Sequence, residues 1–290
     1  DTEKRIEDLR GRGLVGYEHF GAKFVWEDNC SQVRFTVYAP NAKNVCLIGD
    51  FSSWQPWQMQ RLDCGVWTLV SPDPQEGQRY KYQITTQSGE VWDRADPFAL
   101  SSQLRPENAS VITCLNHHIW QDSDWLSKRG QNFDRPPNIY ELHLGSWKRK
   151  DGEDAECFYQ YDEICDQLIP YLKEMEYTHI ELLPLTEYPL DASWGYQVSG
   201  YFSATSRYGK PEQLMKLIDC CHQAGIGVIF DFVPTHFVRD FHALHLFDGS
   251  CMYEPDDENQ RYSPWDTALF DFTKPHVISF LRSSLNFWIS

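Results

Sequence analysis

Three segments of this chain combine aromatic, carboxylate, amide and imidazole side chains at close spacing, types able to hold and orient a ligand. The first is Tyr140-Glu141-Leu142-His143-Leu144-Gly145-Ser146-Trp147. The second, Ser193-Trp194-Gly195-Tyr196-Gln197-Val198-Ser199-Gly200-Tyr201-Phe202, leads into Thr205-Ser206-Arg207-Tyr208-Gly209-Lys210-Pro211. The third contains Asp231-Phe232-Val233-Pro234-Thr235-His236-Phe237. Trp194 and Tyr196 offer flat apolar faces and Gln197 an amide. Asp231 offers an acceptor, and the imidazole of His236 can donate from one nitrogen while accepting at the other. This is binding chemistry rather than bond breaking. A second gathering, His236, Asp240, His242, His245 and Asp248, has metal-ligand residue types, but its spacing fits no zinc pattern, so no metal is expected. Nine cysteines, an odd number scattered without CxxC spacing, indicate reduced thiols rather than a disulfide framework.

Composition narrows the ligand class. Aromatic residues make up 15% of the chain, and many fall in turn-rich stretches, where flat faces suit sugars or nucleic-acid bases. Acidic residues outnumber basic ones 42 to 26, a net charge of −16, which argues against phosphate-rich partners and anionic membrane surfaces. No run approaches the ~18 to 20 apolar residues of a membrane span, and the first residues lack a signal-peptide core. A cytoplasmic protein binding neither nucleic acid nor membrane is the expectation.

The elements that must position these groups fall into two regions, as expected for 290 residues at about 150 per domain. After a charged lead-in (1–16), residues 17–112 alternate in short runs separated by Pro, Gly, Asn and Asp. Val33–Tyr38, Asn44–Ile48, Gly65–Val70 and Arg79–Ile84 predict strands of an antiparallel β-sandwich. Residues 113–137, rich in breakers, read as a linker, and the stretch from Asp93 onward as irregular. From 138 the period changes to strand and helix in alternation. Strands are predicted at Ile139–Leu144, Thr178–Pro184 and Gly227–Val233, and helices at Tyr161–Met175, Pro211–Ala224 and Lys274–Ser290. Such repetition builds a parallel sheet. A closed (β/α)8 barrel needs about 250 residues, so residues 138–290 are expected to be the first three βα units of an incomplete TIM barrel, truncated before the fourth strand. The three ligand-holding segments then stand at the C-terminal ends of strands, the face on which barrel enzymes build their sites.

Those segments resemble the alpha-amylase superfamily, glycoside hydrolase family 13, and within it the 1,4-α-glucan (glycogen) branching enzymes. Residues 17–112 are similar to the family 48 carbohydrate-binding module, through Gly49-Asp50-Phe51-Ser52-Ser53-Trp54, Tyr80-Lys81-Tyr82 and Asp96-Pro97-Phe98. The resemblance implies that Tyr196 is a stacking platform for the reacting sugar, that His236 hydrogen-bonds its hydroxyls and that Asp231 orders the base of the site, with Trp194 and Gln197 in support. Trp54 and Trp57 become candidates for stacking on glucan from the sandwich. The implied partner is an α-glucan (glycogen or amylose), and no cofactor is implied.

The resemblance also says what to expect beyond this stretch. A retaining transglycosylase needs two carboxylates ~5 to 5.5 Å apart. In the family the nucleophilic Asp ends the fourth strand, the acid/base Glu follows the fifth, and a third Asp follows the seventh, so all are expected beyond Ser290. Glu141, Glu181 and Glu187 match no catalytic position, and no catalytic residue is assigned within the chain. Phe232, Thr235 and Asp271-Phe272-Thr273 depart from the usual branching-enzyme residues, which bears on glucan-binding detail rather than reaction type. Rival expectations are a debranching or trehalose-releasing hydrolase of the same superfamily, and a non-catalytic glycogen-binding remnant. Ser146-Trp147-Lys148-Arg149 and the run from Ser193 to Gly200 favour branching over the hydrolases.

Overall fold

The computed structural model describes residues 5, 9–11, 13–27, 30–131, 136–150 and 158–290. The chain forms two compact units, one from residues 1–114, 186–203 and 233–290, the other from 115–185 and 204–232.

The first unit contains the sandwich. One sheet has the order β1-β2-β6-β5, with β1 at Gly21–Glu27, β2 at Cys30–Tyr38, β5 at Gln60–Arg61 and β6 at Val66–Ser71. The other has the order β4-β3-β7-β8, with β3 at Asn44–Gly49, β4 at Trp57–Gln58, β7 at Arg79–Thr85 and β8 at Val91–Arg94; β9 (Ser110–Val111) also pairs with β7. The two-residue period predicted for β7 is realised: Tyr80, Tyr82 and Ile84 are buried while Arg79, Lys81 and Gln83 point outward. Phe35, Val45 and Leu47 complete this core.

At its heart lies a buried carboxylate. Asp96 accepts from the Tyr80 hydroxyl at 2.6 Å, the Tyr82 hydroxyl at 3.2 Å and the Phe98 amide at 2.8 Å. Its own amide donates to Ser110 Oγ at 2.8 Å. Burial pushes this carboxyl above the ordinary carboxylate range, and the donors around it offset part of that desolvation.

Five strands here, β1, β4, β5, β8 and β9, were not predicted, and the two longest show why. β1 lacks a clean alternation and leaves Phe24 and Trp26 exposed, yet it pairs with β2 along its whole length, so the partner strand rather than its own pattern makes it a strand. β8 runs into the stretch read as irregular, because its residues complete the ladder on β7.

The 186–203 and 233–290 segments pack with the sandwich. Arg94 is buried between the rings of Trp92 and Phe241, 4.6 and 4.4 Å from their centroids, and donates to the carbonyls of Phe241 and Leu246. Burial lowers its pKa to about 10, so it stays charged at neutral pH. The Asn41 amide donates to Asp248 Oδ2 at 2.9 Å. Helix Pro275–Ile289, which begins on the prolines' favoured first position, buries Phe280 against Phe98, Phe202 and Tyr201.

The second unit is built on a parallel sheet, β10-β11-β14, formed by Ile139–Leu142, His179–Leu182 and Gly227–Phe230. Ile139 aligns with His179 and Gly227, and Leu142 with Leu182 and Phe230. Gly227 is required there, since a Cβ would stand 2.2 Å from His179 Cδ2. Helices Tyr161–Glu174 and Pro211–Gln223 pack against each other. Each starts with a side-chain cap from the third helical residue: Glu163 accepts from the Gln160 amide and Gln213 from the Lys210 amide, both at 2.8 Å. Pro170 sits inside the first helix without ending it.

The stretch read as a linker contains a short helix, Ser123–Lys128. It is pinned to the 211–223 helix: His222 Nδ1 lies 2.7 Å from Asp122 Oδ2, Trp125 stacks on the His222 ring, and the Gln121 amide donates to Asp219. The predicted strand Ile139–Leu144 ends at Leu142, where the chain turns into the short helix Leu144–Trp147. Among the described residues no helix is long and apolar enough to cross a membrane.

Candidate functional site

In the first unit, strands β12 (Thr186–Glu187) and β13 (Gly200–Ala204) form a ribbon whose connecting loop carries the aromatic run. The Ser199 amide donates to the Glu187 carbonyl at 2.8 Å, and the Tyr188 amide to Glu187 Oε1 at 3.0 Å. A 3-10 turn at Asp191–Ser193 then throws Trp194 into the left-handed region, φ 54°, followed by Gly195 at φ 92°. The Tyr196 amide closes this turn on the Ser193 carbonyl at 3.0 Å. The consequence is outward display: Trp194 and Tyr196 are 48% and 41% exposed, while Val198 and Tyr201 behind them are buried and Gln197 is half-buried.

The buried anchors bring His236 alongside. The Val238 amide donates to the Val198 carbonyl at 3.0 Å, and the Tyr201 hydroxyl reaches the carbonyls of Val233 at 3.1 Å and His236 at 2.8 Å. Tyr196 and His236 therefore stand on neighbouring segments of one unit. His236 opens strand β15 (His236–Phe237), which pairs with β16 (Ala268–Leu269) in the register His236 to Leu269. Its Nδ1 is buried without a hydrogen-bond partner, and burial lowers its pKa below the ordinary histidine value, favouring the neutral ring. A buried, unsatisfied imidazole nitrogen costs free energy unless a ligand engages it.

Trp265 was not singled out from the sequence. It is 73% exposed, and its ring centroid lies 6.4 Å from that of His236 at an interplanar angle of 34°. Only the hairpin that returns from β15 to β16 puts it there. Behind it, Arg239 pairs with Asp266 and lies 4.2 Å over the Tyr262 ring. The signal available in sequence was a tryptophan inside a polar turn, Ser263 to Thr267.

In the second unit the strand ends carry Asp231 and His143. Asp231 directly follows β14, and its amide donates to the Leu182 carbonyl at 3.1 Å, which fixes the residue's backbone at the C-terminal rim of the sheet. His143 follows β10, with Nδ1 2.9 Å from Ser146 Oγ. Gly145 is crowded there, since a Cβ would lie 2.6 Å from Tyr208 Oη. Glu141 and Glu181 are register neighbours within adjacent strands rather than groups facing each other across a cleft, and Glu187 is engaged as described.

Among the His and Asp residues after His236, the side chains of His245 and Asp248 have structural partners, and His242 is held through its backbone. His245 Nδ1 lies 2.8 Å from Glu254 Oε1, the Ser250 hydroxyl donates to Asp248 at 2.6 Å, and the His242 carbonyl accepts from Ala95. Among the described residues, no group of three or more His, Cys, Asp or Glu could hold a metal ion.

The sandwich tryptophans differ from one another. Trp57 in β4 is half-buried against Phe51, ring centroids 5.1 Å apart. Trp54 is 38% exposed on the turn after β3, and its indole nitrogen donates to Asp50 at 3.2 Å.

A sandwich thus precedes strands of a parallel sheet along the chain, and aromatic side chains are displayed on the loop between β12 and β13. Residues 19–99 match carbohydrate-binding module 48 (isoamylase N-terminal domain), and residues 148–288 match the alpha amylase catalytic domain. Over these two stretches the chain is similar to those families. It is 49% identical over 286 residues to the 1,4-alpha-glucan branching enzyme GlgB of Bacillus caldolyticus, covering 96% of this chain and 42% of that protein. To the protein of the same name from Nitrosomonas eutropha it is 48% identical over 288 residues, covering 97% of this chain and 39% of the relative. The chain thus spans about two-fifths of the length of these curated relatives. Among solved structures, a pullulanase complexed with maltotetraose from Anoxybacillus sp. LM18-11 superposes with a TM-score of 0.71 at 21% identity, over 99% of this chain and 45% of that one. A putative alpha amylase from Salmonella typhimurium gives 0.72 at 21% identity, over 93% of this chain and 41% of that one. These likenesses establish the shared fold.

Proposed function

We propose that this chain is the glucan-holding front part of a cytoplasmic 1,4-α-glucan branching enzyme. The observation that carries this reading is near-half identity, sustained over almost the entire chain, to relatives bearing that name. The donor glucan lies across the Tyr196 ring, and the neutral imidazole of His236 hydrogen-bonds sugar hydroxyls through its unsatisfied nitrogen; Asp231, at the sheet rim of the second unit, keeps the ordering role that the family resemblance implies. Trp194, Gln197 and Trp265 extend the contact to neighbouring glucose units. An aromatic face fits the apolar side of a pyranose, and the polar groups at its edge set orientation.

In the whole enzyme a carboxylate nucleophile displaces the C4 oxygen of an α-1,4 bond while a carboxylic acid protonates that oxygen. The 6-hydroxyl of another glucan then attacks the glycosyl-enzyme, with the acid's conjugate base taking its proton, to form an α-1,6 branch. These two carboxylates are assigned to the remainder of the longer protein. The full-length protein is expected to lower the iodine-stain absorbance of amylose without a matching rise in reducing ends, and residues 1–290 alone to leave it unchanged. A debranching hydrolase would leave linear amylose unchanged and release reducing ends from glycogen instead, and branching by residues 1–290 alone would move the chemistry into this chain.

A further inference from the structure

Helices Tyr161–Glu174 and Pro211–Gln223 carry three cysteines that glucan chemistry does not use: Cys165 on the first, Cys220 and Cys221 on the second. Each helix connects neighbouring strands of a parallel sheet, so the two run in the same direction. Their register is pinned near the N-terminal end. Gln213 Nε2 donates to Asp162 Oδ1 at 2.8 Å, and Lys216 Nζ lies 3.8 Å from Asp162 Oδ2.

One turn further along, Cys165 follows Asp162 and Cys220 follows Lys216, on the same sides of their helices. This register sets the two thiols close enough that Cys220, after burial, raises the Cys165 pKa further. Cys165 is buried and points its thiol at the Tyr161 carbonyl, 3.7 Å away, whereas Cys220 is only half-buried. Cys221, the next residue, turns into the core.

We propose that Cys165 and Cys220 form a reversible disulfide, a redox modification site that ties the two helices together. The oxidant is a peroxide. The Cys220 thiolate attacks a peroxide oxygen, the O–O bond breaks, and hydrogen peroxide leaves one water and a sulfenic acid at Cys220. The Cys165 sulfur then attacks the Cys220 sulfur, the S–O bond breaks, and the departing hydroxide leaves as the second water with the Cys165 proton. Two thiols and one hydrogen peroxide thus give one disulfide and two waters. The order follows from burial, which keeps the Cys165 thiol protonated and shielded, so the accessible Cys220 meets the oxidant first. A reductant of the thiol class returns the pair to its starting state.

The test is peptide mapping of the intact full-length protein after a hydrogen peroxide pulse, with free thiols alkylated and digestion under non-reducing conditions. The expected result is a cross-linked peptide joining Cys165 to Cys220 that dithiothreitol removes. Cys165→Ser is expected to abolish it and leave Cys220 reactive toward dimedone, while Cys221→Ser leaves the link intact. In the wild-type protein alone, Cys165 and Cys220 both remaining alkylatable, or Cys220 joined instead to Cys221, would overturn the proposal even if a variant failed to fold.

Discussion

Trp54 and Trp194 occupy the same kind of place and live in different chemistry. Each sits at the left-handed corner of a tight turn, with φ of 60° and 54°, and each leaves much of its ring in solvent. Around Trp54 the polar capacity is already used. Its indole N–H goes to Asp50, and Asp50 is gripped by Arg79 through Nε at 2.9 Å, Nη2 at 2.8 Å and the backbone amide at 2.8 Å. The same guanidinium hangs 6.0 Å from the Trp54 ring centroid. Trp194 instead leads through Gly195 to an exposed Tyr196, on a segment held beside a histidine whose buried nitrogen has no partner. An exposed aromatic ring is therefore a weak sign of a sugar site by itself. Unspent hydrogen-bond capacity next to the ring is the stronger one.

The comparison is most directly broken at the second turn. In the full-length protein, Tyr196→Ala and His236→Ala are each expected to lower kcat/KM on amylose by on the order of 10² to 10³, as loss of positioned binding groups does. Their melting temperatures should stay within a few degrees of wild type. A loss of less than threefold in either would put the two turns on an equal footing.

The frame beneath the first turn comes next. Asp96→Ala is expected to cost about 3 kcal/mol in urea unfolding, because two tyrosine hydroxyls and an amide lose their shared acceptor inside the sandwich. An unchanged urea midpoint would mean that the sandwich does not depend on this hub.

Lys23 in β1 sharpens the same point through pH. Burial, opposed by the charge of Asp96, lowers its pKa to about 8. The folded state thus gives up this proton before the unfolded state does, and stability rises as pH increases from about 8 toward the ordinary lysine value of about 10.4. Lys23→Met should add about 2 kcal/mol at pH 7 and flatten that rise, as read from unfolding curves across the alkaline range. A slope that persists in the variant would assign the titration elsewhere.

The smallest effect is expected at Trp54 itself. Trp54→Ala should weaken glycogen binding less than about fivefold by affinity electrophoresis, since its rim is engaged internally and a single stacked ring contributes about 1 kcal/mol. A larger loss would promote the sandwich turn to a principal glucan contact.

Much of this was legible along the chain, unevenly. β7 announced itself because inward and outward residues alternate, and the 211–223 helix because a proline opens it and Gly225 follows it. β1 did not, because its strand character comes from a partner rather than from its own pattern. Tyr196, Asp231 and His236 could be nominated from strand-end position joined to the family resemblance. Trp265 could not, since its place beside His236 depends on a hairpin return whose register no local pattern encodes. The apparent His and Asp gathering after His236 dissolves for the converse reason: neighbours in sequence pair with Glu254, Asn41 and Ser250 instead of with one another.

By itself the sequence determined the periods, the turns and the residue types, because these rest on forces acting over a few residues: steric limits on φ and ψ, the spacing of apolar side chains, and caps. Tertiary structure alone decided which polar atoms are satisfied. Asp96 is filled and His236 is left wanting, and Cys165 meets Cys220, because hydrogen-bond partners and thiol neighbours come from distant parts of the chain.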